Sequence, residues 1–328
     1  MNRPIRWGIL ATGKIAHKFA QGLQTLPDAR PQAVGSRQAD AAHAFADTYG
    51  IPHRHASYEA LAADPEVDIV YVASPHNFHL EHALLCLHHG KHVLCEKPLT
   101  INAQEAAILY HTARARGLFL MEALWTRFLP AWVQVRQWIA EGLIGQVKLL
   151  RADFSLVSAT FDPEDRKFNP HLAGGALLDV GIYPINAAYM VFGEDPAEVS
   201  SAAEMYSTGV DVQSAYLFRY RSGAIAVLNS GFEVDGTKEA LIQGTLGTIR
   251  VPLFWRAGEV IVQLHGEAPV RHDFGFEATG LQYEAAACME ALRAGWLEHP
   301  QMPAAETLRI MRLMDRLRDT WGLRYPGE

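Results

Sequence analysis

Cysteine is scarce in this chain, and so are long runs of a single charge. Only three cysteines occur among 328 residues, Cys86, Cys95 and Cys288, and none shares the Cys-x-x-Cys spacing of redox or metal motifs. We therefore expect a fold without disulfides in a reducing compartment, with the cytoplasm as the default location. The net charge is -7 and no long basic run occurs, which argues against nucleic acid as the main partner.

The sequence also lacks an uninterrupted apolar stretch of membrane-spanning length. Its most apolar region, residues 172–193, is broken by Asp179 and contains Gly, Pro and Asn. A transmembrane helix needs about 20 consecutive apolar residues. Near the start, only seven residues separate Arg6 from Lys14, which is too short for the apolar part of a secretory signal. We expect neither a membrane span nor a secretion signal.

What the chain does contain is a regular alternation of strand-like and helix-like segments up to about residue 125. Apolar runs such as IRWGILA (5–11) and VDIVYVA (67–73) alternate with segments of helical periodicity. This order predicts an α/β class with a doubly wound parallel sheet, a Rossmann domain over residues 1–124. Beyond it, alternating runs joined by turns predict a large, mostly antiparallel open sheet in an α/β domain for substrate binding and oligomerisation, residues 125–328.

The segment from Gly8 to Ala16 lies where the first strand meets the first helix. A dinucleotide-binding turn needs small residues at three places, and Ala11, Gly13 and Ala16 occupy them. The alternative is a tight packing turn without a ligand, but four further strand–helix alternations favour a nucleotide site. The residues expected to contact the cofactor here are Gly8, Ala11, Thr12, Gly13, Lys14 and Ile15.

The tip of the second strand indicates which nicotinamide cofactor is bound. NAD-binding versions of this fold carry an acid there for the ribose hydroxyls, whereas this chain has Ser36 and Arg37. A guanidinium offers forked donors to phosphate oxygens and suits the 2′-phosphate of NADP. A solvated surface Arg37 is the other interpretation. We therefore favour NADP over NAD.

Two short blocks, EKP (96–98) and GGALLDVGIY (174–183), carry the candidate catalytic residues. Lys97 follows a strand-like run, and Asp179 and Tyr183 stand four residues apart on a predicted helix, where both face the same way. An ammonium group favours a nearby phenolate, so Lys97 could help Tyr183 to act as a general acid/base. A chance tripeptide, a surface hydrogen bond or a structural ion pair are the alternatives. Glu96 could orient Lys97 or contact the nicotinamide ribose, and Pro98 would fix the backbone just after the lysine.

Fifteen histidines raise the question of a metal. His76 and His79 are three residues apart, and His88, His89 and His92 cluster at a predicted helix end. No matching acid or cysteine spacing supports zinc, so we expect no metal site.

The quoted motifs resemble those of the Gfo/Idh/MocA oxidoreductases over essentially the whole chain. The markers are GILATGKIA, VASPHNFHLEHALLCLHHGKHVLCEKPL and GGALLDVGIYPI. Within that family the chain is most similar to dimeric dihydrodiol dehydrogenases and NADP-dependent D-xylose 1-dehydrogenases, because of MEALWTRFLP (121–130) and the tyrosine at 183. Ala11 in place of a turn glycine departs from the common pattern.

The resemblance implies further roles for individual residues. Lys97, Asp179 and Tyr183 would be catalytic, Ser36 and Arg37 would hold the 2′-phosphate, and Glu96 would contact the cofactor. Members of the family commonly associate through the carboxyl-terminal sheet, which implies a homodimer or a higher oligomer. The remaining implied contacts to the nicotinamide ribose, the nicotinamide or the substrate are Ser74, Pro75, His76, Asn77, His79, Trp125, Arg127 and Phe154.

These observations together predict an NADP-dependent dehydrogenase that acts on a carbinol of a cyclic polyol, either C1 of an aldopyranose or a trans-dihydrodiol. One alternative is a reductase of a sugar ketone or an α-dicarbonyl, because the same acid/base serves both directions. The other is a non-catalytic NADP-sensing regulator on the same scaffold. Such a sensor could dispense with Lys97 and Tyr183, and both are present.

Overall fold

A computed structural model describes residues 3–328 and divides into two units. The first unit runs to Trp125 and includes the later segment Glu277–Leu308. The second unit consists of Thr126–Phe276 and Arg309–Glu328. The sequence prediction placed the boundary near residue 124 and assigned all later residues to the second domain, so the return of Glu277–Leu308 to the first unit differs from it.

The strands form two sheets, one in each unit. The first is six-stranded with the order β3-β2-β1-β4-β5-β6, and the second is eight-stranded with the order β14-β13-β12-β11-β7-β10-β9-β8. The strands are β1 (Ile5–Leu10), β2 (Ala29–Gly35), β3 (His53–His55), β4 (Ile69–Val72), β5 (His92–Glu96), β6 (Leu120–Ala123), β7 (Val147–Ser155), β8 (Glu198–Met205), β9 (Asp211–Arg219), β10 (Ile225–Gly231), β11 (Glu239–Gly244), β12 (Gly247–Pro252), β13 (Glu259–Leu264) and β14 (Val270–Asp273).

Within residues 3–328, seven α-helices lie in the connections between these strands, and two more follow β14. They are α1 (Lys14–Leu23), α2 (Ala39–Tyr49), α3 (Tyr58–Ala62), α4 (His79–His88), α5 (Ala103–Ala115), α6 (Pro130–Ala140), α7 (Ile182–Phe192), α8 (Gln282–Ala294) and α9 (Ala304–Trp321). Gly50 ends α2 as its C-cap in the left-handed region, φ 66°, where glycine is favoured. Asn102 begins α5 by accepting a bond from the N–H of Glu105 at 2.9 Å.

Every strand pair of the first sheet is parallel, which confirms the predicted Rossmann arrangement. The central strands are apolar and fully buried because helices cover both of their faces. The ends of parallel strands gather at one edge, and ligands of such sheets bind outside the carboxyl ends. The turns after β1, β2, β4 and β5 therefore define where a site should be sought in this unit.

The second sheet is antiparallel except between β7 and β10, which pair in parallel. This agrees with the predicted large, mostly antiparallel sheet. Along β9, buried and exposed residues alternate, as expected when one face packs on a core and the other faces outward. Helix α7 is buried along most of its length and packs against β7 and β10.

One helical segment of the described residues, Pro170–Phe192, is long and apolar enough to cross a membrane by length and composition. In the structure, 94% of its most apolar window is buried inside the protein. The segment is not one regular α-helix, since a π-helical turn, Leu177–Gly181, precedes α7. Its apolar character therefore reflects its place in the core of the second unit.

Helix α8 explains why the later segment belongs to the first unit. Gly22 of α1 leaves so little room that a Cβ there would lie 3.1 Å from the backbone nitrogen of Gln282. The hydroxyl of Thr279 also donates to the carbonyl of Lys18 at 3.0 Å. Close helix packing of this kind buries apolar surface, and the same segment contributes Cys288, which is as fully buried as Cys86 and Cys95.

Candidate active site

The turn after β1 has the form that a pyrophosphate needs. Ala11 adopts a φ of 79°, and its N–H donates to the carbonyl of Gly35 at 2.9 Å. Left-handed backbone is strained for a residue with a Cβ, so a glycine would adopt this φ at a lower conformational cost. No described atom lies within 4 Å of a Cβ built on Gly13, the N-cap of α1, and this leaves open space at the start of the helix. Gly8 instead lies within β1, where Val67 and Leu61 fill the space beside it.

The end of β2 opens into a surface cleft of about 640 Å³. The N–H of Ser36 donates to the carbonyl of His55 at 3.1 Å, and the Ser36 hydroxyl accepts from the N–H of Gln38 at 3.2 Å. Arg37 is exposed and lines the cleft together with Tyr58 and Phe78. Burial raises the pKa of the Tyr58 phenol, and the charge of Arg37 opposes this rise. The cleft thus offers a cation and an aromatic ring side by side.

The loop after β4 is held from behind by two histidines. His82 Nδ1 lies 2.9 Å from the Ser74 hydroxyl, and His79 Nε2 lies 2.8 Å from the Ser74 carbonyl. Since His79 is fully buried, it supports the loop from the protein side. Burial lowers the pKa of His79 to about 4, although the contacts with the carbonyls of Pro98 and Ser74 act in the opposite direction. Pro75, His76 and Asn77 lie nearer the surface than His79.

The turn that carries Lys97 is fixed by buried carboxylates. Glu96 accepts a bond from the Tyr71 hydroxyl and another from the N–H of Lys97, the latter at 3.2 Å. Beyond the cis Lys97–Pro98 peptide, the N–H of Leu99 donates to Oε1 of Glu122 at 3.0 Å. The backbone on both sides of Lys97 is therefore anchored, which holds the lysine at the carboxyl end of β5.

Further contacts strengthen the same turn. His79 Nδ1 lies 2.8 Å from the carbonyl of Pro98, so His79 joins the loops after β4 and β5. Glu122 is fully buried, and its second oxygen accepts from the Thr307 hydroxyl at 3.0 Å. The sequence analysis did not find Glu122, although an acid at the carboxyl end of a buried strand was a usable signal.

In the second unit, Asp179 lies on the π-helical turn Leu177–Gly181 and Tyr183 lies on the first turn of α7. The sequence pattern predicts α-helical spacing for this pair. A π turn contains an extra residue, so the rule that residues four apart share a face does not apply unchanged. Nη2 of Arg166 lies 3.2 Å from Oδ2 of Asp179 and donates to it. Asp179 is thus paired with a cation.

Tyr183 lies beside an aromatic wall formed by Phe154 and Trp255. Its ring packs edge-to-face on Phe154, with centroids 5.3 Å apart. Phe154 in turn stacks on Trp255, with centroids 4.3 Å apart and an angle of 20° between the rings. Trp255 was missed by the sequence analysis because no local pattern marks a tryptophan that long-range contacts bring to a site. Such a wall suits the apolar face of a ring-shaped substrate.

Two residues predicted to lie near the nicotinamide belong to different units. Trp125 ends the first unit and is half-buried. Arg127 belongs to the second unit, where it is buried and its Nε donates to Oδ1 of Asn186 at 2.6 Å. Its carbonyl also accepts a bond from Arg136 at 2.9 Å. These contacts give Arg127 a place in the core of its own unit.

The structure therefore gathers the predicted residues into two groups. The first unit brings the nucleotide turn, Ser36–Arg37, Ser74–Asn77 and Glu96–Pro98 to the carboxyl edge of its parallel sheet. In the second unit, Tyr183 and Phe154 pack together, and Asp179 lies on the π turn that precedes Tyr183. The first group has the arrangement of a nucleotide site, and the second combines a phenol, a carboxylate and aromatic rings.

Comparison with protein families gives two matches that follow this division. Residues 5–124 match the GFO_IDH_MocA model, described as an oxidoreductase family with an NAD-binding Rossmann fold. Residues 132–250 match the GFO/IDH/MocA C-terminal domain.

Curated relatives match along almost the full chain. A trans-1,2-dihydrobenzene-1,2-diol dehydrogenase from Danio rerio is 38% identical over 330 residues, with 98% of each chain covered. The enzyme of the same name from Homo sapiens is 36% identical over 336 residues, with 99% of each chain covered.

Solved structures show the same fold. KijD10, a 3-ketoreductase from Actinomadura kijaniata in complex with NADP and TDP-benzene, gives a TM-score of 0.86 at 30% identity and covers 97% of this chain and 98% of that one. A levoglucosan dehydrogenase in complex with NADH and levoglucosan gives 0.87 at 20% identity, covering 99% of this chain and 100% of that one. The second likeness concerns the fold alone.

Proposed function

The chain belongs to the GFO/IDH/MocA oxidoreductases and is an NAD(P)-dependent dehydrogenase acting on CH–OH groups, and we propose that it oxidises a carbinol of a cyclic polyol with NADP. The substrate would be a trans-dihydrodiol or an aldopyranose at C1. The observation that carries the proposal is the anchored turn at Lys97, because it fixes a cation at the sheet edge where ligands of this fold bind.

The residues at the first group fit a dinucleotide. The open space above Gly13 admits a pyrophosphate at the start of α1. Oδ1 of Asn77 is buried and has no hydrogen-bond partner among residues 3–328, so it can accept a bond from a bound ribose. A nicotinamide cofactor held there supplies the acceptor for the hydride that leaves the carbinol carbon.

Preference for NADP rests on the cleft at the end of β2. Arg37 lines this cleft, and the tip of β2 carries no acid that would repel a 2′-phosphate, although Glu59 and Glu81 also line the cleft. The structure of KijD10 holds NADP, which supports the same choice. NAD is the alternative.

The chemical roles follow from the groups present. Tyr183 accepts the hydroxyl proton as the carbinol becomes a carbonyl, and the positive charge of Lys97 assists by favouring the phenolate. Asp179, paired with Arg166, orients a substrate hydroxyl. Phe154 and Trp255 exclude water and hold the ring of the substrate against Tyr183.

A reductase acting on a ketone is the second candidate. KijD10 is named a 3-ketoreductase and is 30% identical to this chain. The same phenol would then donate the proton to the new hydroxyl, so the residues and their roles stay the same while the direction reverses.

The test is the formation of NADPH, followed by absorbance, with trans-dihydrodiols, aldoses and inositols, and with NAD in parallel. We expect turnover on one substrate class with NADP preferred. Tyr183→Phe should lower kcat by roughly 10²–10⁴-fold, the usual value of acid/base catalysis. Tyr189→Phe is the matched control on α7, because the Tyr189 hydroxyl donates to Asp195 at 2.8 Å.

Each part of the proposal can fail separately. Full turnover of Tyr183→Phe would remove the acid/base role. An Arg37→Ala variant whose KM rises equally for NADP and NAD would contradict the 2′-phosphate contact, for which we expect a rise of roughly 10–100-fold with NADP alone. No turnover in either direction with tight NADPH binding would instead support a sensor.

A further inference from the structure

A cluster of three potential metal ligands lies at the edge of the first sheet, apart from the groups described above. His53 and His55 alternate along β3, so both side chains project from the same face of this edge strand. Asp64 follows α3 and meets them there. One ligand atom from each of the three residues lies within 4.8 Å of the other two. We propose that His53, His55 and Asp64 bind a zinc ion.

The carboxylate is fixed and ready to act as a ligand. The Asp64 side chain is 3% exposed, and its Oδ1 accepts a bond from the N–H of Glu66 at 2.8 Å. This bond leaves Oδ2 facing both histidines, 2.6 Å from His53 Nδ1 and 2.9 Å from His55 Nε2.

The surroundings supply the second layer of contacts that zinc sites use. A metal-bound histidine usually donates its other ring N–H to a carboxylate, which fixes the ring and its tautomer. Nε2 of His53 lies 3.2 Å from Oε2 of Glu66. Glu66 is itself held by Gln32, whose Nε2 donates to the same oxygen at 2.8 Å. With the His53 proton on Nε2, the lone pair of Nδ1 is directed at the ion.

Zinc binding would lengthen the two distances from Asp64 Oδ2 to the ring nitrogens by less than an ångström. Zinc bonds to nitrogen and oxygen are about 2.0–2.1 Å, so tetrahedral ligand atoms stand roughly 3.3 Å apart. The His53 and His55 side chains are 34% and 22% exposed, and they can move outward by about half an ångström without opening the core. Two histidines and one carboxylate leave the fourth position for water. Binding requires the ring nitrogens that face Oδ2 to be without a proton, so each neutral ring would carry its proton on its other nitrogen.

The position of the site connects it to the cofactor cleft. The carbonyl of His55 accepts the N–H of Ser36, and the next residues along the chain, Ser57 and Tyr58, line the cleft with Arg37. An ion joining β3 to Asp64 would close the segment 55–64 at both ends. We therefore assign the zinc ion the task of stiffening this segment; hydride transfer takes place at other residues.

The test is a zinc titration of the full chain after removal of metal with a chelator, followed by calorimetry and thermal unfolding. We expect one ion per chain and a rise of Tm by roughly 3–6 °C at 100-fold excess over Kd. His55→Gln should weaken binding by roughly 100-fold, while the glutamine keeps an N–H for Asp64. His43→Gln is the control, because His43 is exposed on α2.

A second variant tests the proposal if His55→Gln fails to fold. Glu66 is 53% exposed, so Glu66→Gln should fold normally and weaken zinc binding by about 10-fold through the orientation of His53. Zinc binding that is equal in wild type, His55→Gln and Glu66→Gln would overturn the proposal, and so would the absence of saturable binding to the wild type. In that case the three residues form a hydrogen-bonded cluster only.

Discussion

Asp211 shows how one buried carboxyl group can set the position of a candidate catalytic turn. It is fully buried, and its Oδ2 accepts the N–H of Leu177, the first residue of the π turn, at 2.7 Å. The backbone at Gly175 approaches so closely that a Cβ there would lie 2.4 Å from Oδ1. The carboxyl group therefore fixes the start of the turn on which Asp179 stands. Burial raises the pKa of Asp211 to about 7.

This pKa predicts how stability depends on pH. A carboxyl group whose pKa is raised in the fold stabilises it fully below about pH 4, and this contribution is lost as the pH rises to about 7. Asp211→Asn stays neutral, so it should remove this slope. Between about pH 5 and pH 8 we expect the wild type to lose roughly 2–4 kcal/mol more unfolding free energy than the variant.

Urea unfolding at the two pH values measures this difference. Asp273→Asn serves as the control, since Asp273 is exposed at the end of β14 and should leave the slope of the wild type unchanged. Equal slopes in wild type and Asp211→Asn would show that Asp211 does not titrate in this range.

At the scale of elements, the π turn before α7 is explained by what it packs against. A Cβ on Gly181 would lie 2.7 Å from the Tyr216 hydroxyl and 2.9 Å from the Ser230 hydroxyl. These two groups lie 2.8 Å apart in a buried hydroxyl cluster with Ser214. The chain thus meets β9 and β10 at a polar cluster, and only a glycine allows this approach.

Gly181→Ala should therefore destabilise the protein by about 1–3 kcal/mol, the usual cost of overpacking, and should lower kcat by displacing Tyr183. Urea unfolding and the NADPH assay measure the two effects. Adding Tyr216→Phe removes one of the two clashing oxygens and should restore part of the stability. A Gly181→Ala variant as stable as the wild type would show that the turn can shift to accommodate the added Cβ.

The strands and helices that were predicted correctly share strong local patterns. The apolar run of β5 and the periodic apolar face of α1 are visible without any tertiary information. β3 and α3 were missed because His53–His55 contains no apolar residue and Tyr58–Ala62 spans little more than one turn. Tertiary pairing with β2, which no local pattern announces, creates β3.

The candidate site divides in the same way. Lys97 and the nucleotide turn could be predicted because they belong to short motifs next to strong strands. Tyr58 and Trp255 could not, since each reaches its site through contacts between residues far apart in sequence, whereas Glu122 lies near the end of a buried strand and was overlooked. His79 carried a motif, yet its burial could be read only from the fold.

At the scale of the whole molecule, the outer face of the second sheet carries an apolar patch. Leu217 and Val227 lie directly opposite each other on β9 and β10 and are 47% and 44% exposed. Arg151 of β7 pairs next to Val227, and Ser200 of β8 pairs next to Leu217. We propose that two copies of the chain form a homodimer through this face, because exposed apolar side chains can be buried against the same face of a second copy.

Val227→Glu should then convert the dimer into a monomer, because two copies would bury like charges against each other. Light scattering coupled to gel filtration reads the mass. Val270→Glu is the matched control on β14, where Val270 is 51% exposed at the edge strand. A protein that stays dimeric with Val227→Glu but becomes monomeric with Val270→Glu would place the interface at β14 instead.

Because the cysteines are buried, chemical labelling of their thiols can report the opening of one unit of the protein. Cys86, Cys95 and Cys288 are all fully buried, all belong to the first unit, and burial raises the pKa of each thiol. A thiolate-directed dye can therefore react only when that unit opens. The second unit has no cysteine and is not labelled. The rate of labelling therefore measures how often the nucleotide-binding unit opens.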